Sequence, residues 1–489
     1  MNRMPEKSRV DLVRIATEAM VERGLRPEFG ADVATQLASI SGPARRTDAH
    51  TVDLSALLWC SIDNDDSRDL DQLTACEPLA GGAVKVFVAV ADVDALVAQG
   101  SAIDEHARFN TTSVYTAARI FPMLPEPLST DFSSLNPGQP RLAIVTTLVI
   151  AQDATLSGVT LQHARVHSKA KLAYDGLSAW IEGEGALPAA AAAVPGLEQQ
   201  LRLQDDVAQR LRSQRREHGA LEFETVQPRA VYEGGRVVEI RQQAQNRARQ
   251  LIQELMIATN RATSQFLAAH GVPSLRRVVR SPERWQRIVA EARKVGETLP
   301  DSADSHALEQ FLARRRVADP LRFPDLSLVI VKLMGSGEYV VEQPGVAPVG
   351  HFGLALRDYT HATAPNRRYP DLITQRLLKA ALAGSPAPYS VADLGALAAH
   401  CSQQEDAAQK VERKLRKCEA ALWLQSHIGQ RFDGVVTGRS ESNTWVRIFK
   451  PPVEGKLGGR GVSLDIGQRV QVELVSTDVE RGFIDFALA

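Results

Sequence analysis

The stretch 61-SIDNDDSRDLDQL-73 places five aspartates in the nine residues from Asp63 to Asp71, with Arg68 as the only cation among them. The chain around it is not acidic: 57 Lys and Arg stand against 58 Asp and Glu, a formal net charge of −1 over 489 residues. The negative charge is therefore a local feature, and any anion-binding surface must be local too. The stretch follows the apolar run LLWCSI (57–62) and precedes VKVFVAVADV (84–93). Both are largely apolar and bounded by turn residues, as is LAIVTTLVI (142–150), and the last two are rich in valine and isoleucine, so all three read as buried strands. The aspartates then belong to a loop pinned to a sheet.

Three readings of such a loop compete. A run of acids can simply be a solvated face. A calcium loop would use Asp63, Asp65 and Ser67 as its first, third and fifth positions. It would then need glycine where Arg68 stands and a bidentate glutamate where Thr74 stands. A carboxylate cage for Mg²⁺ is the third reading: Asp69 and Asp71 share a face if extended, and hard oxygens suit that ion. Two such ions about 3.5–4 Å apart would clamp both oxygens of an in-line attack on a phosphodiester.

The rest of the chain fills in an α+β protein of roughly two to four domains by length. Residues 8–40 show helical spacing with Gly24 as a stop, and 41–50 read as a linker. Helices are expected over Gly196–Glu217, Arg247–Ala269, Pro370–Ala383 and from Val391 to about Ile428. The Ala/Pro stretch 186–196 reads as a surface loop. The last 60 or so residues read as five or so short strands with glycine turns, among them FDGVVTGR, TWVRIF, QRVQVELVS and GFIDFAL. Such a block suggests a small barrel of the OB kind. The four cysteines, Cys60, Cys76, Cys401 and Cys418, form no CxxC pair, which excludes the usual zinc patterns and a disulfide framework. A reducing, cytoplasmic setting is expected. No apolar run approaches the ~20 residues a bilayer span needs, so no membrane association is expected.

IDNDDSRDLDQL resembles the ID-x5-D-x-DD signature of the ribonuclease II (RNB) exoribonucleases. Three further stretches resemble that family's segments in the same order: PMLPEPLSTDFSSL (122–135), SKAKLAYDGLSAWIE (168–182) and HFGLALRDYTHATAPNRRYPDL (351–372). The resemblance covers roughly residues 50–425. It implies a mixed-sheet catalytic domain at 49–428 and an RNA-binding OB domain at 429–489, behind a helical N-terminal domain at 1–48 of helix-turn-helix type or another compact form. Larger family members begin with two cold-shock-like barrels; here only about 50 residues precede the catalytic domain. A more open RNA entrance is expected in consequence.

The resemblance implies 3′-to-5′ processive hydrolysis of single-stranded RNA to nucleoside 5′-monophosphates with one or two Mg²⁺ ions, without an obligate protein partner. It carries the catalytic and metal-binding aspartates onto Asp63, Asp69 and Asp71, with Asp71 expected to be indispensable to the chemistry. The family's fourth aspartate falls on Gln72, which offers a neutral oxygen but no charge. Arg367 falls where the family sets an arginine against the scissile phosphate, and Arg368 is a second phosphate contact. Tyr115 and Phe223 match base-stacking positions. Tyr174 matches a tyrosine that holds the 3′-terminal nucleotide, and Glu254 a glutamate that works with it. Arg241, Arg247 and Arg249 are candidates for the RNA path. One alternative is a catalytically impaired RNA-binding protein that keeps the channel, since Gln72 replaces an acid. Another is a phosphoesterase of small nucleotides, which would need neither barrel nor stacking aromatics.

Overall fold

The protein is described from a computed structural model covering residues 7–45, 51–224, 228–233, 236–242, 245–320, 322–440, 443–458, 464 and 466–489. Two helices, α1 (Lys7–Glu22) and α2 (Ala31–Ala38), precede a seven-stranded sheet. Its strands are β1 (Val52–Asp53), β2 (Cys60–Asp63), β3 (Gln72–Pro78) and β4 (Val84–Ala91), then β7 (Pro140–Ile150), β8 (Leu156–His167) and β9 (Ala170–Ala173). Between them lie α3 (Ala102–Asn110) and a small hairpin, β5 (Val114–Tyr115) with β6 (Ile120–Phe121). The order is β1-β8-β7-β4-β3-β2-β9, with β1/β8 and β2/β9 parallel and the other pairs antiparallel.

The apolar run of β4, interrupted only by Lys85, follows from its position. Side chains alternate across a strand, so Phe87, Ala89 and Ala91 enter one core while Val84, Val86, Val88 and Val90 enter another on the opposite face. A strand covered on both faces has no polar side to show. The second core is closed by α4 (Tyr174–Ile181), the single turn α5 (Ala189–Ala192), α6 (Leu197–Glu217) and much of α7 (Arg247–Ala269). The stretch 186–196 is thus not simply a surface loop: Ala191 is buried in this core and Val194 packs on it. A second hairpin, β10 (Pro228–Glu233) with β11 (Arg236–Gln242), separates α6 from α7.

Beyond α7, β12 (Ser274–Val278) pairs with β13 (Glu338–Glu342) around three helices absent from the sequence reading: α8 (Trp285–Lys294), α9 (Ser305–Ala318) and α10 (Phe323–Met334). Then come α11 (Tyr369–Leu382) and the long α12 (Val391–Leu424), which starts at a capping box on Ser390 and Asp393. The C-terminal strands β14 (Arg431–Arg439), β15 (Thr444–Ile448), β16 (Glu454–Leu457), β17 (Arg469–Asp478) and β18 (Phe483–Leu488) form a closed five-stranded barrel. Gly455 is required there, because a Cβ would stand 2.6 Å from both Ile484 O and the Phe486 ring. Ala420, Ala421 and Leu424 of α12 seat the barrel's core.

Among the described residues, the two N-terminal helices share their cores with the rest of the chain. Leu12, Ile15, Ala16, Ala19 and Met20 of α1 pack with Val411, Leu415 and Cys418 of α12, while Val33 of α2 joins the sheet core. The expected boundary at residue 48 lies outside the described residues. The four cysteines are free and buried. Among the described residues no helix is long and apolar enough to cross a membrane.

Behind the sheet, α11 meets a buried acidic cluster. Asp92, directly after β4, accepts from His163 Nε2 (2.8 Å) and Lys379 Nζ (3.0 Å). Lys379 also pairs with Asp94 (2.8 Å), and Arg376 reaches Asp94 (2.9 Å) and Asp104 (2.8 Å). Burial works to raise the Asp92 carboxyl, but the bond from His163 and the charge of Lys379 outweigh it and hold it below its ordinary value.

Candidate active site

The sheet topology gathers the sequence-selected residues at one end. Parallel β2 and β9 run in register, Asp63 beside Ala173, so Tyr174 opens α4 next to Asp63. Antiparallel β3 begins at Gln72, paired with Val90, and Ala91 N donates to Asp71 O. The acidic loop is thereby stretched over the strand ends. A cavity of about 220 Å³ lies there, lined by Asp63, Asp71, Gln72, Tyr174, Arg367 and Arg368.

Asp71 is 3% exposed. Its Oδ1 accepts from Asn366 N (2.9 Å), and its Oδ2 has no hydrogen-bond partner, the nearest cation being Arg367 Nε at 3.5 Å. Burial pushes its carboxyl up to about 7, with Asp69 adding to the rise and Arg367 opposing it. Asp63 accepts from Asn64 N (2.7 Å) and is also raised, chiefly by burial. Asp69 does not line the cavity; its Oδ2 accepts from the Tyr115 hydroxyl (3.0 Å). Tyr115 lines a second, broader cavity of about 1210 Å³, together with Arg119, Arg229, Arg241 and Arg249 and the acids Asp66, Glu412 and Glu419.

The two neighbouring arginines differ. Arg367 keeps 41% of its side chain exposed. Arg368 donates to Asp371 Oδ1 (2.7 Å), which holds its guanidinium charge against burial. Gln72 turns its amide nitrogen to the carbonyl of Thr363. Tyr174 stacks under Arg249 (4.4 Å), whose guanidinium also donates to Asn64 Oδ1 (2.8 Å). Arg247 pairs instead with Asp205 (2.8 Å).

Two residues stand elsewhere. Glu254 is buried in a two-bonded pair with Arg215 of α6 (2.6 and 3.0 Å) and is not among the residues lining the cavity. The α7 residues that do line it are Ile252, Gln253, Met256, Ile257 and Asn260. Gln253, Met256, Ile257 and Asn260 follow i, i+3, i+4, i+7, one helical face. Every face of a helix shows that spacing, so the sequence alone does not choose Gln253 over its neighbour Glu254. Phe223 packs on the core of α8–α10 and lines neither cavity. Tyr359 and Thr363 also line the smaller one; both lie within the 351–372 motif, in which only Arg367 and Arg368 were singled out.

Among the described residues, no three His, Cys, Asp or Glu side chains form a group that could hold a metal ion by themselves. Two carboxylates on one cavity, both raised by burial, and a buried oxygen without a hydrogen-bond partner do fit a cation that keeps waters and takes further oxygens from a phosphate.

Residues 51–384 match the RNB domain family, and 430–489 match the RNase II-type exonuclease C-terminal S1 domain. The chain is 30% identical over 502 residues to ribonuclease R of Vibrio cholerae, covering 94% of this chain and 60% of that protein. It is 29% identical over 478 residues to ribonuclease R of Escherichia coli K12, covering 90% and 57%. The chain thus spans well under two thirds of these relatives. Mycoplasma genitalium RNase R in complex with ribose-methylated single-stranded RNA shares the fold, with a TM-score of 0.88 at 22% identity, covering 98% of this chain and 78% of that one. So does yeast Ssd1, described as a pseudonuclease, with a TM-score of 0.72 at 16% identity, covering 96% and 57%.

Proposed function

The chain belongs to the RNB family, and from that premise we propose that it is a 3′-to-5′ hydrolytic exoribonuclease acting on single-stranded RNA, with Mg²⁺, to give nucleoside 5′-monophosphates. The observation that carries this is Asp71: a buried carboxyl with one oxygen lacking a hydrogen-bond partner, facing a cavity shared with Asp63 and Arg367. Asp63 and Asp71 would hold the cation, with Asp69 reaching it once Tyr115 lets go. When bound, the cation would lower the pKa of an attacking water and neutralise charge on the departing oxygen.

The chain's own residues supply the rest. Arg367 is half-exposed with a planar fork of donors, suited to two-point contact with a phosphate and to the charge that grows in the transition state. Tyr174, held flat by Arg249, offers a ring to the terminal nucleotide. Tyr115, 39% exposed and lining the broad cavity, offers a stacking face there. Stacking needs no particular base, so sequence indifference follows. Selection for single strands would be steric, with the 3′ end of one strand entering the cavity between Asp71, Tyr174 and Arg367. Domain limits near 48 and 428, a cytoplasmic setting and action without an obligate partner complete the proposal.

A second reading is kept by Gln72, which brings no charge to the cavity: an RNA-binding protein with weakened chemistry. The fold does not decide between them, since it is shared with a protein described as a pseudonuclease. Digestion of uniformly labelled single-stranded RNA, with Mg²⁺ or with EDTA, separates the two. The nuclease reading predicts nucleoside 5′-monophosphates with Mg²⁺ alone; bound but uncut RNA in both would support the second.

A further inference from the structure

We propose that Gln72 is a positioning residue, tethering the loop that carries Arg367 to the first residue of β3, and is not a metal ligand. This rests on the reading of the cavity as a nuclease site.

The loop ahead of α11 has little secondary structure of its own and is held by side chains. Ala362 N donates to Asn260 Oδ1 (2.9 Å), Ala364 N to Asp371 Oδ1 (2.8 Å) and Asn366 N to Asp71 Oδ1 (2.9 Å). Each of these N–H groups takes an acceptor. Thr363 presents the opposite need: its carbonyl can only accept, and Gln72 meets it with the amide nitrogen. An ionised carboxylate at position 72 has no proton to give and would face the carbonyl oxygen with like charge. The amide is thus suited to this contact in a way that an acid is not.

The fixed end is rigid. Gln72 is locked in the β3–β4 ladder opposite Val90. Asp71 and Gln72, adjacent in sequence, therefore hold the loop at two points, Asn366 N and Thr363 O. Arg367 directly follows Asn366 and lies four residues after Thr363, with its Nε 3.5 Å from Asp71 Oδ2. Release of Thr363 would free the loop upstream of Arg367 while leaving Asp63 and Asp71 on the sheet. The loss would appear in the placing of the arginine and not in cation binding.

The test uses Gln72→Leu and Gln72→Glu in the full chain, with Mn²⁺ titrated calorimetrically without RNA, and kcat and KM measured on single-stranded RNA. For Gln72→Leu the tether predicts a Mn²⁺ Kd and an RNA KM within about threefold of wild type, and a kcat lower by about 10–100-fold, the scale of an ångström-sized misplacement. Gln72→Glu keeps the length but not the donor, and its kcat should fall as well although it brings a charge to the cavity. A Mn²⁺ Kd weakened about tenfold or more in Gln72→Leu, or a kcat raised in Gln72→Glu, would overturn the proposal. Hydrogen exchange at the amides of Ala364 and Asn366 judges the tether without any turnover, and covers a variant of low stability. Faster exchange confined to this loop supports the tether, and unchanged exchange contradicts it. If wild type cuts no RNA, the nuclease reading fails, while the exchange result still decides whether Gln72 holds the loop.

Discussion

Two acidic clusters lie at the ends of neighbouring strands, and the protein treats them in opposite ways. Around Asp92, Asp94 and Asp104, α11 supplies Arg376 and Lys379, and β8 supplies His163. The Asp92 carboxyl ends up below its ordinary value. Around Asp63, Asp69 and Asp71 the nearest cation to Asp71 is 3.5 Å away and half-exposed, and both Asp63 and Asp71 are raised. The same residue type in the same sheet is neutralised in one place and left short of positive charge in the other. The first arrangement stabilises a fold. The second is unfavourable until something cationic arrives, and so marks a site.

The largest expected effect separates the clusters by activity. Asp71→Asn should lower kcat on single-stranded RNA by at least about 10³-fold, with RNA affinity nearly unchanged, because a ligand and a charge are lost but no channel contact. Parallel rate and binding assays check this. Asp92→Ala should do the reverse. It takes the buried carboxylate from His163 and leaves Lys379 with Asp94 alone, and should cost about 3–5 kcal/mol in denaturant unfolding, while the remaining folded protein keeps its kcat.

Tyr115→Ala should weaken single-stranded RNA binding by about 1–3 kcal/mol, one lost stacking face. Tyr115→Phe should cost far less, since only the bond to Asp69 goes. Equilibrium binding in EDTA tests both.

The smallest effect is one of pH. A carboxyl raised in the folded state binds a proton there that the unfolded chain has already lost. For Asp71 its stabilising contribution is therefore full below about pH 4 and is lost as pH rises through about 7. In EDTA, the stability advantage of Asp71→Asn over wild type should open between those values, and Mg²⁺ should narrow it above pH 7. The lowered Asp92 carboxyl works the other way, so its contribution holds at neutral pH and is lost only as pH falls below about 4. Thermal melts across this range measure both.

Much of this was legible because it rests on local pattern. The doubly buried β4 shows as an apolar run interrupted only by Lys85, α7 runs over the expected Arg247–Ala269, and four of the five barrel strands cover the runs quoted between glycine turns. The acidic loop, Tyr174 and Arg367 were found through ordered motifs, and they share one cavity because β2 and β9 are parallel and in register. What stayed hidden depends on facing. Gln253 and Glu254 are adjacent in the sequence, yet one lines the cavity and the other pairs with Arg215, a choice set by the phase of α7 against α6. Strand β8 alternates weakly because much of it is only half-buried. Helices α8–α10 cover a separate small core whose partner, Phe223, lies far back in the sequence and reads alone as a stacking aromatic.

The most direct test of the central claim is a time course on 5′-labelled single-stranded RNA with Mg²⁺, wild type beside Asp71→Asn. The account predicts that wild type shortens the RNA from its 3′ end to one short labelled product, while Asp71→Asn binds it equally and leaves it intact. Equal binding with no shortening by either protein would contradict it, and the chain would then be an RNA-binding member of its family.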